Sequence, residues 1–367
     1  ECVPLDIFGI NRPSEEAITY INKHLTAKTL MKQQVVSANV STELFELPAG
    51  ALGFAGGFEH REEKADFQSG GWAESGLGRS EPIKSVLGEY ETDEFYGEFY
   101  APLISEDMGI PFLDSASIEG AYRTVDNSFA GRDDTWTIGG RFAPIQDIEF
   151  RGNVTRSVRA PAVTELFLPL SGSFTFADDP CDARHVNEGP NPATRRANCI
   201  SGGGSLPGIP DPDNFASTVE NASVEGLTGG NLGLLNEQAD SWTVGLILRP
   251  RWVENLTIAV DYVEIDIADA IESFTLTQIM ASCYDQVSFP NTFCDKFRRD
   301  PNGQLPPNGA FESGFVNAGS RLFRGVTVDA AYATDLFAGG LDVTANFYIP
   351  QEDTTKVLES VDKDAGE

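Results

Sequence analysis

Hydrophobic and polar positions alternate with a period of two along much of the chain. The clearest case is Asp147 to Pro250, where two alternating runs flank about eighty residues that do not alternate. In the first run Ile148, Phe150, Gly152 and Val154 share one parity, and Glu149, Arg151, Asn153 and Thr155 share the other. In the return run Trp242, Val244, Leu246 and Leu248 oppose Ser241, Thr243 and Gly245. Such alternation predicts strands with one apolar and one wet face. The connection between them is far longer than an ordinary one, and loops of that length are usually functional or disordered.

The same reading predicts a short helix over Ser14 to His24, with Ser14 as N-cap and Glu15 and Glu16 in the first turn. Alternation then runs from Gln33 to Leu47, turns at Pro48-Ala49-Gly50, and continues through Leu52, Phe54, Gly56 and Phe58 until charges end it at Glu59 to Lys64. Further strands are predicted near 94–101, 114–125, 134–143, 256–264, 320–334 and 340–349, so the strand-bearing region is 33–349. A second large excursion, 268–319, carries a short helical segment within IESFTLTQIMASCYDQ.

Connections near 48–50, 102–112, 144–146, 250–254 and 335–339 are short or moderate, and those near 62–87, 126–132, 157–236 and 268–319 are mostly long. The two classes alternate. In an up-and-down antiparallel meander one rim then carries turns and the other long loops, as outer-membrane barrels do. Phe54, Phe58, Phe99, Phe142, Trp242, Tyr262, Phe347 and Tyr348 fall in or at the ends of strands, which suits an interfacial aromatic girdle. A β-sandwich or propeller gives a similar pattern strand by strand, but not fifty to eighty loop residues on one edge only.

Composition narrows the function. Fifty-six acidic against 26 basic residues give a formal net charge of -30, which argues against nucleic-acid binding through phosphate neutralisation. No run approaches the ~20 apolar residues of a membrane helix, although spanning strands give a weaker signal. Cys181 with Cys199 and Cys283 with Cys294 form local pairs inside the two excursions, as expected of disulfides bracing exposed loops in an oxidising compartment. Cys2 is left over, and its expected partner lies upstream of Glu1; the termini do not read as natural boundaries. His24, His60 and His185, with no tight cysteine spacing, say little for a metal site. Acidic loop residues suggest a Ca²⁺ candidate at Asp211 and Asp213, without the spacing of an EF-hand. No catalytic motif stands out, and the acid pairs Asp133/Asp134 and Asp178/Asp179 reflect the composition; no enzyme activity is expected.

The segments FRGNVTRSVRAPAVTELF (150–167) and GNLGLLNEQADSWTVGLILRP (230–250) resemble TonB-dependent outer-membrane receptors. The resemblance extends to ELFELPAGALGFAGGFEHREE (43–63), DPC (179–181), RANC (196–199) and RGVTVDAAYATDL (324–336), in the family's order. It implies an all-β fold, an antiparallel up-and-down transmembrane β-barrel present in part, with about ten strands of the roughly 22 found in plugged transporters. It also implies a multi-pass location in the bacterial cell outer membrane with the long loops extracellular. The implied function is energy-coupled uptake of an iron chelate, oligosaccharide, peptide or vitamin. The partners it implies are outer-membrane lipid, a TonB-type energy-coupling protein, a plug domain and the remaining strands.

On that reading Ile148, Phe150, Val154, Trp242, Val244, Leu246 and Leu248 face lipid, and Arg156 and Arg159 face plug or ligand unless they are spent on ion pairs with the many carboxylates. Trp72, Phe174, Phe176, Tyr284 and Phe289 are exposed-loop aromatics available for stacking on a ligand. A secreted β-rich binding or adhesion module and a structural outer-membrane protein without transport are the alternatives.

Overall fold

The computed structural model describes residues 2–10, 12–77, 82–337, 339–357 and 360–365. Eleven strands form a meander in chain order: β1 (Ala27–Leu47), β2 (Gly50–Ser69), β3 (Val86–Ile104), β4 (Ser115–Asn127), β5 (Gly131–Ile145), β6 (Ile148–Arg159), then β9 (Glu237–Leu248), β10 (Leu256–Ser273), β11 (Glu312–Leu336), β12 (Gly339–Val357) and β13 (Ser360–Ala365). Two short strands lie off this path, β7 (Ser171–Thr175) and β8 (Val224–Gly229), and β8 runs parallel to the start of β11. The helices are α1 (Glu15–Ile21), α2 (Gly71–Glu74), α3 (Val163–Phe167), α4 (Pro192–Ser201) and α5 (Leu276–Tyr284).

The expected barrel is corrected. Closure requires the first and last strands to hydrogen-bond to each other. Among the described residues β1 pairs with β2 alone and β13 with β12 alone, so the sheet is an open wall with two free edges. It is also mixed rather than purely antiparallel. The expected location as a closed multi-pass barrel in the outer membrane, long loops outside, is corrected with it. No helix among the described residues is long and apolar enough to cross a membrane, which says nothing of strands.

Local chemistry explains most elements. Ser14 caps α1 by accepting from the Ala17 amide. Gly50 closes the β1–β2 turn at φ +134°, a conformation that favours glycine. The charged stretch Glu59 to Lys64, expected to end β2, stays in the sheet to Ser69 because β1 and β3 ladder both its edges, and two of its side chains pair with acids on β3. His60 Nδ1 lies 2.8 Å from Asp93, and Lys64 Nζ lies 2.8 Å from Glu89. The connection at 126–132, grouped with the mostly long ones, is a tight turn in which the Asn127 side chain accepts from the Phe129 and Ala130 amides.

Register sorts the wall into two faces. Phe58 opposes Phe95, Phe54 opposes Phe99, Val154 lies between Ile138 and Trp242, Tyr262 lies between Val244 and Val326, and Val328 opposes Phe347. These side chains form a continuous apolar face with nothing packed on it; Phe95, Ile138, Val154, Val244 and Phe347 are all exposed. Toward the long-loop rim this face turns charged along one line, through His60–Asp93, Arg156–Asp240 and Glu264–Arg324–Glu352. The opposite face is polar.

The main buried core is not in the wall. It lies in the two excursions, which pack together as a cap on one rim: Val219, Val224, Leu276, Met280, Tyr284, Phe297 and Phe311 belong to a single buried cluster that includes both disulfides. A smaller cluster of Tyr90, Val163, Leu166, Leu234 and Ile271 seats α3 on the wall. Gly88 permits this seating, since a Cβ there would sit 2.1 Å from the Phe167 ring.

Candidate functional site

The polar face of the wall, beneath the cap, is the candidate site. Strand alternation aims Glu94, Tyr96 and Arg123 to one side of β3 and β4, and Arg151, Arg159 and Asp261 to the same side further along. Arg123 Nη1 lies 2.7 Å from Glu94, and Arg151 makes a bidentate pair with Asp261 at 2.7 and 2.5 Å. Paired charges of this kind keep the face hydrophilic without a net field from any one group. A cavity of about 590 Å³ opens here, lined among others by Arg61, Glu63, Tyr90, Glu94, Arg123 and Arg159. Asn236 closes one side, its amide donating to Asp133 at 2.5 Å while its buried Oδ1 has no partner.

Arg159 and Glu237 are direct register partners, so the first excursion leaves and re-enters the wall at adjacent positions. Arg159 is paired with Glu237 and, at 3.0 and 3.2 Å, with Glu165 on α3, whose carboxylate also accepts the Ala162 amide at the start of α3. Glu237 in turn accepts the Ile271 amide at 2.6 Å, which ties the root of the first excursion to that of the second. Arg156 is paired with Asp240, and alternation puts it on the apolar face above Val154. Both arginines are therefore occupied by carboxylates.

In the cap, Cys181 is bonded to Cys199 and Cys283 to Cys294, with Cα atoms 5.6 and 5.0 Å apart. Cys2 is unpaired and exposed. Tyr284, expected as an exposed stacking residue, is instead fully buried: its ring packs on Phe297 and its hydroxyl accepts from Arg299 Nε at 2.9 Å. Phe289 stacks on Tyr284 and packs against the same core. Phe174 and Phe176 are exposed at 58% and 62%, and Trp72 is exposed beneath Lys23 Nζ. The five aromatics do not converge on one surface of the cavity; none of them lines it.

Of the calcium candidates Asp211 and Asp213, both already have protein partners. Asp213 is paired with Arg196, and Asp211 accepts from Asn214 at 2.7 Å.

Sequence reasoning missed the pairs that hold the cap. Asp179 and Arg299, 120 residues apart, have side chains that are both 0% exposed and bonded at 2.8 and 2.6 Å. Arg195 and Asp285 repeat the device, with Arg195 also donating to the His185 carbonyl. Burial pushes the Asp179 carboxyl upward, but the Arg299 charge, with hydrogen bonds from Arg299, Ser217 and the Cys181 amide, outweighs it and holds the pKa below the ordinary value. Asp182 is held at about 2: burial opposes, while the Arg184 side chain and the Arg184 and Ser217 amides prevail. The only sequence signal for these pairs was their residue type.

The structure is thus a two-faced β-wall, one face apolar and uncovered and the other ion-paired, carrying a disulfide-braced cap on one rim. The chain belongs to the TonB dependent receptor-like β-barrel family, whose model matches residues 33–365. Members of that family are transporters, not enzymes. Among solved structures, a mutant ferric enterobactin receptor PfeA of Pseudomonas aeruginosa is similar, with TM-score 0.52 and 14% identity over 90% of this chain and 36% of that one. A second mutant of the same receptor, in complex with enterobactin, gives TM-score 0.53 at 14% identity over the same shares. The siderophore receptor PirA of Acinetobacter baumannii gives 0.50 at 13% identity, over 90% of this chain and 40% of that one. At such identities the likeness is one of fold. The chain spans little more than a third of the length of the PfeA receptors. A search of curated proteins finds no match.

Proposed function

We propose that this chain supplies wall and cap to an energy-coupled transporter that brings a scarce or large nutrient across the bacterial outer membrane. An iron chelate, oligosaccharide, peptide or vitamin is the cargo class. The observation that carries the reading is the division of the wall: an apolar face with nothing packed on it, and an ion-paired polar face beneath the cap, in a chain of this family. A large exposed apolar surface marks contact with membrane or partner. On this reading Ile148, Phe150, Val154, Trp242, Val244, Leu246 and Leu248 face lipid. The cap admits cargo, and the polar face lines its route beside a plug domain driven by a TonB-type energy-coupling protein. Phe174 and Phe176, the exposed cap aromatics, are the stacking candidates for cargo.

The test is a strain lacking the whole gene, grown with each candidate iron or carbon source limiting, in backgrounds with and without the energy-coupling protein. We expect one nutrient to fail in the deletion strain and to fail equally when coupling is lost. Parental growth on every source, or uptake that ignores coupling, overturns the reading. So does a purified chain that stays monomeric and soluble without detergent, as a secreted binding module would.

A further inference from the structure

One cluster in the cap plays no part in the transport reading. Asp178, His185 and Glu220 each present one ligand atom, and the three atoms lie within 4.8 Å of one another. Among the described residues no other group of His, Cys, Asp and Glu converges in this way. His185 Nε2 lies 3.3 Å from Glu220 Oε1. Its other nitrogen, Nδ1, is held 2.8 Å from Glu188 Oε2. An imidazole fixed through one nitrogen by a carboxylate, with the other turned to convergent oxygens, is how proteins orient a metal-binding histidine.

The remaining groups are positioned as firmly. Glu220 Oε1 accepts the Asp179 amide at 2.8 Å, while Oε2 faces the Arg184 guanidinium at 3.3 Å. Arg184 is itself held by Asp182 at 2.8 and 3.1 Å. The Asp178 amide donates to Thr277 Oγ1 on α5. The His185 amide donates to the Asp182 carbonyl, and Cys181 and Val186, on either side of this turn, are completely buried. The turn that carries His185 is thus anchored on the buried core of the cap through Cys181 and Val186.

We propose that Asp178, His185 and Glu220 bind a divalent transition-metal ion of the zinc class. The donor set makes the choice. Calcium and magnesium take oxygen ligands, calcium six to eight of them, whereas one imidazole nitrogen with two carboxylate oxygens suits zinc and its neighbours. Asp178 is exposed, so the positions not filled by protein are open to water. The ion would tie the turn carrying His185 to the segment carrying Glu220. The inference does not depend on what the transporter carries.

The test titrates the purified full chain with Zn²⁺ alone, in competition with a chromogenic chelator, and compares His185→Gln, Glu188→Gln and Asp213→Asn. Cap hydrogen exchange and disulfide content verify folding. We expect one equivalent of Zn²⁺ in the parent and in Asp213→Asn, no displacement by an equal concentration of Ca²⁺, and binding lost in His185→Gln. Glu188→Gln keeps all three ligands and folds whether or not His185 is a ligand, so it guards against a misfolded His185 variant; it should weaken binding by tenfold or more. Co²⁺ should give a visible d–d band in the parent that His185→Gln abolishes. Absence of Zn²⁺ binding in the parent, unchanged affinity in His185→Gln or Glu188→Gln, or ready displacement by Ca²⁺ overturns the assignment.

Discussion

Arg299→Met is the most informative single perturbation of the cap. The guanidinium donates twice to Asp179, once to the Gly303 carbonyl at 2.6 Å and once to the Tyr284 hydroxyl at 2.9 Å, and it lies over the Tyr284 and Phe297 rings. Methionine fills much of the space but leaves Asp179 ionised and buried, with only Ser217 and the Cys181 amide as partners. Breaking a buried pair by removing one member costs about 3–5 kcal/mol, because an uncompensated charge remains. At 1.4 kcal/mol per tenfold, that raises the open population of the cap by roughly two to three and a half decades. Native-state hydrogen exchange reads this directly. Amides in both excursions should accelerate together by that factor, while those of β9 and β10 hold. Asp179→Leu combined with Arg299→Met should restore most of the protection, since an apolar pair of similar volume is often neutral. Acceleration confined to one excursion, or smaller than about tenfold, would refute the claim that a buried ion pair makes the two excursions one cooperative unit.

Other outcomes follow from the same contacts. Asp182 has a folded pKa of about 2 against an ordinary 3.8, so it contributes stability that is fully present above pH 4 and lost as pH falls through 2. The loss is about 2 kcal/mol, and Asp182→Asn should flatten the acid limb of cap unfolding followed by exchange or near-UV circular dichroism. Replacing Cys181 and Cys199 by alanine opens a bridge between residues 18 apart in a fully buried setting. Cap unfolding should then come about 3 kcal/mol earlier in denaturant, with the strand signal unchanged. Gly245→Ala places a Cβ 1.9 Å from Asp261 Oδ1 and 3.2 Å from Arg151 Cγ, so the Arg151–Asp261 pair must shift. A loss of about 1–3 kcal/mol in thermal unfolding is expected. Gly97→Ala, whose nearest neighbour is 3.9 Å away, should be silent by comparison.

Much of the wall was legible in the chain. The alternation at Ile148–Val154 and Trp242–Leu248 comes out as two neighbouring strands with those side chains on one face, because the pleat alone decides which residues share a side. Ser14 as a helix cap and the tight turn before Gly50 were equally readable, being set by residues within one turn. Short and long connections alternate along the meander except at 128–130, where a tight turn joins β4 to β5. Where the pattern misled, as at Glu59 to Lys64, charge was taken for a strand end, although His60 and Lys64 find carboxylate partners on β3.

The candidate site divides along the same line. That Arg151 and Arg159 lie on the polar side of β6 follows from parity, but their partners Asp261 and Glu237 lie 110 and 78 residues away, and no local pattern selects them among the chain's 56 acidic residues. Tyr284 looked like a loop aromatic and proved to be core, because the apolar cluster that covers it is assembled from both excursions. His185 looked isolated until the cap folded Glu220 against it, 35 residues on. Which face of each strand is apolar, where helices start and where turns fall were written in residues near one another. The open edges of the wall, the single core of the cap and the clustering of its charges arose from contacts between distant segments. Their free energy exists only once the loops that separate them have closed.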